Sequence, residues 1–561
     1  MAMPVKLPPK MPVAVASDRG SRSQGGAASL SALTRIEGRR LLARPTVLVG
    51  AVLSLAAMVQ MSWTTAPVLN RDDTAVSGAL LVLAAATLLA ANAATLRSRR
   101  HRTDELLLSM PTPGRVRTLA HLSSVVVVVP LAVLVAAGFW WWRTSSDPVT
   151  SPDPFELATG PALLLLGGCL GVMLARWAPS PTVAPIVVVG LLVLEFIVNI
   201  LTGGIESGGR NKWLAPMVGQ QGVAHELLVR PTGWHLAYLI GLVAVLSCAA
   251  LLRHQADRRA LTATGMALAM VVVTAGAQLR PLGTGQQPHE LADRLTAAAQ
   301  ENCQESDAIT YCAVPGYKSW IHDWSASVTP VLAELPPDGR PEQLTIRQDY
   351  FGGSVEFLGP DEPANRPDAP TNSEVRPGLW WGRGPGTAAY QFGLALGVAG
   401  LAVGLSPDGA ITSNGASYCS SAGQARGVVA LWLAGQSSDD SARYLRQEVD
   451  IRASDTPSPS GNVPAEMFFD GRAGQPLGSH GYGLRDAVAA VQLLDRSSSQ
   501  VSDLVTDHWD VLTDPDTTID QAVRLLGIQW VDSSPPAMAP ARSDHPSQFG
   551  DSPRDYLIPC P

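Results

Sequence analysis

Histidines and carboxylates in this 561-residue chain do not fall at the spacings that familiar catalytic or metal-binding motifs require. His289 and Glu290 begin a zinc-type HExxH pattern, but Asp293 stands where the second histidine is needed. His480 follows glycine and serine, which is not the turn of a serine hydrolase. None of the four lysines follows the glycines of an ATP-binding loop. The sequence therefore predicts no catalytic residue, no bound metal and no cofactor in this chain.

Two polar residues interrupt an apolar stretch in the first half of the chain. Glu195 and Asn199 lie within residues 182–201. An ionisable side chain at membrane depth costs about 3 kcal/mol or more unless it is paired or hydrated. Either the two residues line a translocation path, or Glu195 lies high enough to reach water or a neighbouring side chain.

Cysteines are concentrated in the second half of the chain. Four of the six lie there: Cys303, Cys312, Cys419 and Cys560. Four cysteines in an exported domain indicate two disulfides. Cys303 and Cys312 enclose a short loop, so we expect that pair, which leaves Cys419 for Cys560. Free buried thiols are the alternative.

Long apolar runs dominate the first half and predict the elements that must hold these residues. Charged residues make up 16% of the chain, against about 25% in soluble domains. A helix needs about 20 apolar residues to cross a membrane. Seven stretches qualify: 46–66, 75–96, 118–140, 157–175, 182–201, 233–252 and 260–279. We therefore expect a disordered cytoplasmic tail over 1–28 and an α-helical polytopic membrane domain, with about seven transmembrane helices, over 29–280.

Basic residues between the apolar runs predict the orientation of the chain. With the N-terminus inside, the inner flanks carry 18 basic residues and the outer loops carry 5, which is the asymmetry of cytoplasmic loops. Seven crossings then place residues 281–561 outside the cytoplasm, on a multi-pass protein of the plasma membrane. Residues 280–561 have a net charge of −17, which argues against nucleic-acid binding.

The sequence of the second half predicts a mixed, mainly helical α+β domain on the outer side of the membrane. Helical patterns cover 320–335, 423–434, 484–496 and 518–526, and a strand pattern begins at 344. Residues 388–405 form an uncharged run of 18 residues. This run contains four glycines, which favours a buried helix of the domain over an eighth span.

The segment between the second and third apolar runs has the pattern of a short capped helix. Thr103 can cap it, and Asp104 and Glu105 suit the positive end of its dipole. Leu106 and Leu107 form an apolar face, Pro111 ends the helix, and Arg115 and Arg117 precede the next span.

This segment resembles the first intracellular loop of the type-2 permease family of ATP-binding-cassette exporters. The likeness lies in Thr-Asp-Glu-Leu-Leu at 103–107 and in Arg-Val-Arg-Thr-Leu-Ala-His at 115–121, and Leu33–Leu42 is similar to the connecting helix of that family. It covers about residues 30–280. It implies that the loop is a coupling helix for a separate ATPase subunit, which holds ATP and magnesium, and that the permease forms a homodimer or heterodimer.

Three interpretations of function remain open. The first is a permease subunit of an ATP-driven exporter, not itself an enzyme. The second is a membrane-anchored extracytoplasmic enzyme, and the third is an envelope sensor or assembly protein. The loop at 97–117 can also serve only to set the topology. A neighbouring gene for a Walker-motif ATPase would favour the first.

Overall fold

The protein is described from a computed structural model. It describes residues 19–103, 113–201, 213–216, 230–254, 257–280, 303–306, 308–348, 373–405, 410–412, 415–417, 419–454, 466–467, 480–529 and 558–560. The predicted coupling residues 104–112 lie outside this part of the chain. The described part is mostly helical, with small sheets in the second half.

The N-terminal half consists of helices. They are α1 (Arg19–Leu42), α2 (Pro45–Ser62), α3 (Leu69–Thr95), α4 (Arg97–Arg100), α5 (Gly114–Val126), α6 (Val129–Thr144), α7 (Pro154–Trp177), α8 (Val183–Leu201), α9 (Thr232–Leu252) and α10 (Arg258–Gln278). Helix α1 begins at Arg19, inside the segment 1–28 that the sequence predicts as a disordered tail.

Six of the described helices are long and apolar enough to cross a membrane. They are α2, α3, the nearly continuous pair α5–α6, α7, α9 and α10. Pro130 explains the break between α5 and α6. Its ring clashes with the backbone carbonyl one turn earlier in the chain and interrupts the helix there. These helices indicate a membrane protein. The predicted stretch 182–201 is also helical, as α8 of 19 residues, and it is not among these six.

Helices α3 and α7 form the most closely packed pair of the bundle. Their backbones approach at Gly167 and Gly171, four residues apart on one face of α7. A Cβ on Gly167 would lie 2.6 Å from Ala84 O, and one on Gly171 would lie 2.3 Å from Leu88 O. Small residues at this spacing let membrane helices pack backbone to backbone.

Polar contacts show which helix ends lie together at each of the two ends of the bundle. At one end, Ala66 N donates to Trp381 O of the C-terminal domain at 2.8 Å, and Arg230 pairs with Asp73 at 3.4 Å. We name this the docked end. At the opposite end, Trp177 Nε1 donates to Ala249 O at 2.8 Å. The chain therefore leaves α7 at the opposite end and enters α9 at the docked end.

Eight helices form most of the described C-terminal domain. They are α11 (Trp320–Glu334), α12 (Thr387–Ala402), α13 (Ala425–Gly435), α14 (Asp439–Ser454), α15 (Leu484–Leu494), α16 (Ser498–Asp507), α17 (Trp509–Leu512) and α18 (Ile519–Leu525). Helix α12 lies within the run 388–405 and packs on α13, with Phe392, Leu394 and Val398 fully buried in the domain core. That core placement agrees with a buried helix and not with an eighth span.

Short strands complete the C-terminal domain. They are β1 (Cys303–Ser306), β2 (Ile309–Cys312), β3 (Leu344–Arg347), β4 (Glu374–Val375), β5 (Ala410–Thr412), β6 (Gly415–Ser417), β7 (Cys419–Ser420), β8 (Glu466–Met467), β9 (His480–Gly483) and β10 (Ile558–Pro559). One sheet has the order β1-β2-β3-β4, a second has the order β10-β7-β9-β8, and β5 pairs with β6. Only β1–β2, β5–β6 and β8–β9 of the described pairs are antiparallel.

The sheets account for the cysteines of the domain. Cys303 and Cys312 face each other across the antiparallel strands β1 and β2 and form a disulfide, as predicted. Cys560 is disulfide-bonded, and strand β10 before it pairs with β7, which places Ile558 opposite Cys419. The pairing of Cys419 with Cys560 stays a prediction. Cys169 and Cys248 of the membrane helices are free.

The core of the C-terminal domain extends past the predicted boundary at residue 280. Val68 and Val149, from loops between membrane helices, are buried in the same cluster as Tyr317 and Trp320. The backbone of Thr150 donates to Gly316 O at 3.3 Å. The loops that the sequence assigns to the outer side are thus part of the surface on which this domain rests.

Candidate functional site

A cavity of about 760 Å³ lies at the opposite end of the helices, beside the first loop. Its described arginines and histidines come from α4, α5, α7, the end of α9 and the segments next to them: Arg97, Arg99, Arg117, Arg176, His101, His121 and His254. Among the described lining residues, Glu37 is the one acid. We name this site the basic cavity.

Helix α1 forms one wall of the basic cavity. Leu41 is 2% exposed, and Gly38 packs so closely on α5 that a Cβ would lie 2.7 Å from a methyl of Val127. Glu37 faces the cavity and bonds Arg97 at 3.2 Å and Arg40 at 3.3 Å. Ile36, by contrast, is 48% exposed. Helix α1 is thus held against the bundle by one face.

Positive charge governs the electrostatics of the basic cavity. The pKa of His254 is lowered, first because burial disfavours the imidazolium, and then because of Arg176 and Arg117. His254 Nε2 lies 2.7 Å from the hydroxyl of Thr118. A neutral histidine among arginines adds polar atoms without adding repulsion.

Both ends of the predicted coupling segment are anchored. The side chain and the backbone N–H of Thr103 both bond to Ser98 O, at 3.3 Å and 2.9 Å. Arg115 pairs with Asp257, which caps α10, at 3.1 Å. Arg117 lines the basic cavity. Asp104, Glu105, Leu106, Leu107 and Pro111 lie outside the described residues.

Glu195 and Asn199 are separate from the basic cavity. Both belong to α8, one helical turn apart, and therefore lie on the same face. The side chain of Glu195 is half-buried, and that of Asn199 lies outside the described residues. Neither is among the described residues that line the basic cavity. Their role in a translocation path stays a prediction.

A buried ion pair at the docked end was missed by sequence reasoning. The guanidinium of Arg143 is fully buried and donates to both carboxylate oxygens of Asp72, at 2.7 Å and 3.1 Å. It also donates to the carbonyls of Ser62, Thr65 and Ala66, at 2.7–3.1 Å. These contacts hold the turn between α2 and α3 on which the C-terminal domain rests. In the sequence, an arginine that follows three tryptophans indicates only the edge of a transmembrane span.

Aromatic residues extend this contact into the C-terminal domain. Arg71 lies 4.0 Å above the Trp380 ring, and Arg383 lies 5.2 Å from that of Trp142. Trp142 also stacks on Trp63 with centroids 6.1 Å apart. The backbone N–H of Arg383 donates to Thr64 O at 2.9 Å. Cation–π and main-chain bonds of this kind fix orientation as well as proximity.

Buried polar side chains of the described C-terminal domain bond to its own backbone. Asp486 is fully buried and accepts from the N–H groups of Gly423 and Gly483, at 2.9–3.2 Å. The side chains of Arg426 and Gln424 both donate hydrogen bonds to Cys560 O. Within the described ranges, no three histidines, cysteines or carboxylates meet as a metal site.

Asp486 makes the stability of the domain depend on pH. Burial raises its pKa to about 7, although the two N–H groups oppose this, while an unfolded aspartate titrates near about 3.9. The folded state therefore binds the proton more tightly. The contribution of this bound proton to the stability of the folded domain is complete below pH about 4 and is lost as the pH rises through about 7.

We expect Asp486→Asn to flatten this loss of thermal stability between pH 5 and 8. Exposed Asp503→Asn should leave the slope as in the wild type, and an unchanged slope in Asp486→Asn would contradict the assignment.

Comparison with known proteins returned no match: no family model, no curated protein and no solved structure is similar to this chain. The function is therefore inferred from the residues of this chain alone.

Proposed function

We propose that this protein is the permease subunit of an ATP-driven exporter, driven by a separate ATP-binding-cassette ATPase. The observation that carries the proposal is the double anchoring of the first loop. Arg97 at its start pairs with Glu37 of α1, and Arg115 at its end pairs with Asp257 of α10. A force applied to the loop therefore reaches two further helices directly.

The same proposal requires seven crossings, with the N-terminus inside. The chain passes from Trp177 at the opposite end to Arg230 at the docked end. Between these points the described helix is α8, and this supports a seventh crossing. The asymmetry of 18 to 5 basic residues then makes the docked end extracytoplasmic.

Assembly into a homodimer or heterodimer is part of the proposal. Met266, Val272 and Val273 of α10 are 64–69% exposed, so this face meets lipid or a second permease. ATP and magnesium belong to the ATPase, and the chain itself carries out no hydrolysis.

The topology is tested by a reporter fused after Pro561. An exported alkaline phosphatase, which needs oxidation, should be active there, and a cytoplasmic reporter such as β-galactosidase should be inactive. A fusion after Arg102, in the first loop, is the matched control and should give the reverse pattern. Cytoplasmic activity at Pro561 would refute seven crossings.

The coupling is tested by Leu106→Ser with Leu107→Ser. Two leucines exposed to water are unfavourable at about 25 cal/mol per Å², so their burial against the ATPase is expected to stabilise the complex. The double variant should lose co-purification with the partner ATPase and should lose ATP hydrolysis by the complex. Membrane insertion should remain, because no span is altered.

A matched control removes exposed apolar surface elsewhere. Val511 is 48% exposed in the C-terminal domain, and Val511→Ser should leave both measurements at the wild-type level. Wild-type co-purification and hydrolysis in the double leucine variant would show that the loop serves only to set topology.

A further inference from the structure

The basic cavity is built for an anion. Four arginines and one glutamate give the described lining residues a net charge of +3. Glu37 is paired with Arg97 at 3.2 Å. The volume of about 760 Å³ is within the range of about 300–1,000 Å³ that is usual for ligand pockets.

One donor in this wall lacks an acceptor. The Nε of Arg117 is buried and makes no hydrogen bond to the described residues. A buried donor left without a partner is unfavourable, so the wall is expected to bind an acceptor. Arginine donors match the oxygens of a phosphate group in geometry and charge.

The position of the cavity indicates where the anion comes from. Its walls are the ends of α3, α5 and α7, three helices that cross the membrane in our proposal, together with α1. The cavity is therefore at headgroup depth. Basic pockets between membrane helices are suited to acidic lipid headgroups.

We propose that the basic cavity binds a phosphate-bearing anion, with an acidic phospholipid headgroup as the source that its position favours. Arg117 and Arg176 hold the phosphate oxygens between α5 and α7. The bound group joins the ends of these helices beside the first loop. This proposal does not require an ATPase partner and stands or fails separately from the exporter function.

The test measures lipid retention by the full-length protein in a neutral detergent. After delipidation, phosphatidylglycerol or phosphatidylcholine is added, and the bound fraction is measured by native mass spectrometry. Wild type should retain phosphatidylglycerol about tenfold better than phosphatidylcholine. Arg117→Gln with Arg176→Gln should lower that retention about tenfold.

Two further variants make the result specific. Arg259 is an exposed arginine at the same end that does not line the cavity, and Arg259→Gln should behave as wild type. Ser98→Glu places a competing carboxylate at the cavity wall and keeps every arginine, so it should abolish retention even if the double arginine variant misfolds.

Inorganic phosphate separates the two sources. If it binds wild type without lipid, displaces phosphatidylglycerol and fails to bind Ser98→Glu, the cavity is a site for a soluble phosphate and the phosphate chemistry is supported. Equal phosphatidylglycerol retention by wild type and Ser98→Glu would overturn the proposal. An equal loss in Arg259→Gln would also overturn it, because retention would then reflect general surface charge.

Discussion

Arg143→Met is expected to destabilise the protein by about 3–5 kcal/mol, because it leaves the buried Asp72 carboxylate without its partner. The guanidinium that is lost is fully buried and donates to Asp72 and to three carbonyls of the α2–α3 turn. Thermal unfolding in detergent, followed by tryptophan fluorescence, measures the effect. Limited proteolysis should show faster cleavage between the membrane helices and the C-terminal domain.

A second substitution separates the unpaired charge from lost packing. Asp72→Leu added to Arg143→Met removes the buried carboxylate and should recover much of the stability, because an apolar pair can replace a buried ion pair. The control is Arg446→Met, which breaks an exposed pair with Asp495 at 2.9 Å and should cost less than about 1 kcal/mol. Equal effects of Arg143→Met and Arg446→Met would contradict the role of the buried pair.

Gly171→Val is expected to separate α3 from α7 and to cost about 3 kcal/mol or more through overpacking. A Cβ at residue 171 would lie 2.3 Å from Leu88 O, which is backbone and cannot rotate away. The bond from Asn92 Nδ2 to Gly171 O, at 3.1 Å, would also be strained. The measurement is the thermal unfolding midpoint together with the yield of monodisperse protein.

Gly265→Val is the matched control for this clash. Gly265 lies in α10, and a Cβ there would meet nothing within 4 Å. The change in helix propensity is the same at both positions, so the difference between the variants reports the packing of α3 on α7. Similar midpoints for the two variants would show that the close approach at Gly171 is not required.

The docked end gives the C-terminal domain a fixed orientation. Its core includes Val68 and Val149 from the loops of the membrane bundle, and Arg383 bonds to the α2–α3 turn. If the protein is an exporter, substrate leaving the bundle meets a domain held in place, and a change in the bundle is passed to it through Arg143 and the turn.

Local patterns in the sequence predicted the six helices that are long and apolar enough to cross a membrane. Length and hydropathy predicted the apolar helices, since a run of about 20 apolar residues is favourable only as a spanning or deeply buried helix. Cysteine spacing predicted the Cys303–Cys312 disulfide, because the two residues enclose a short loop and lie nine apart in the chain. The coupling residues 104–107 remain a prediction from sequence pattern and resemblance.

Only the tertiary structure brought the charged groups together. The partners in the pairs Asp72–Arg143, Glu37–Arg97 and Arg115–Asp257 are 71, 60 and 142 residues apart, so no local pattern connects them. The role of Gly171 likewise depends on which helix lies against it. The sequence by itself determined that these segments are apolar helices with basic flanks, because hydropathy acts residue by residue. The packing of the helices decided which arginines are paired and which surround the basic cavity, because burial and distance set the strength of charge interactions.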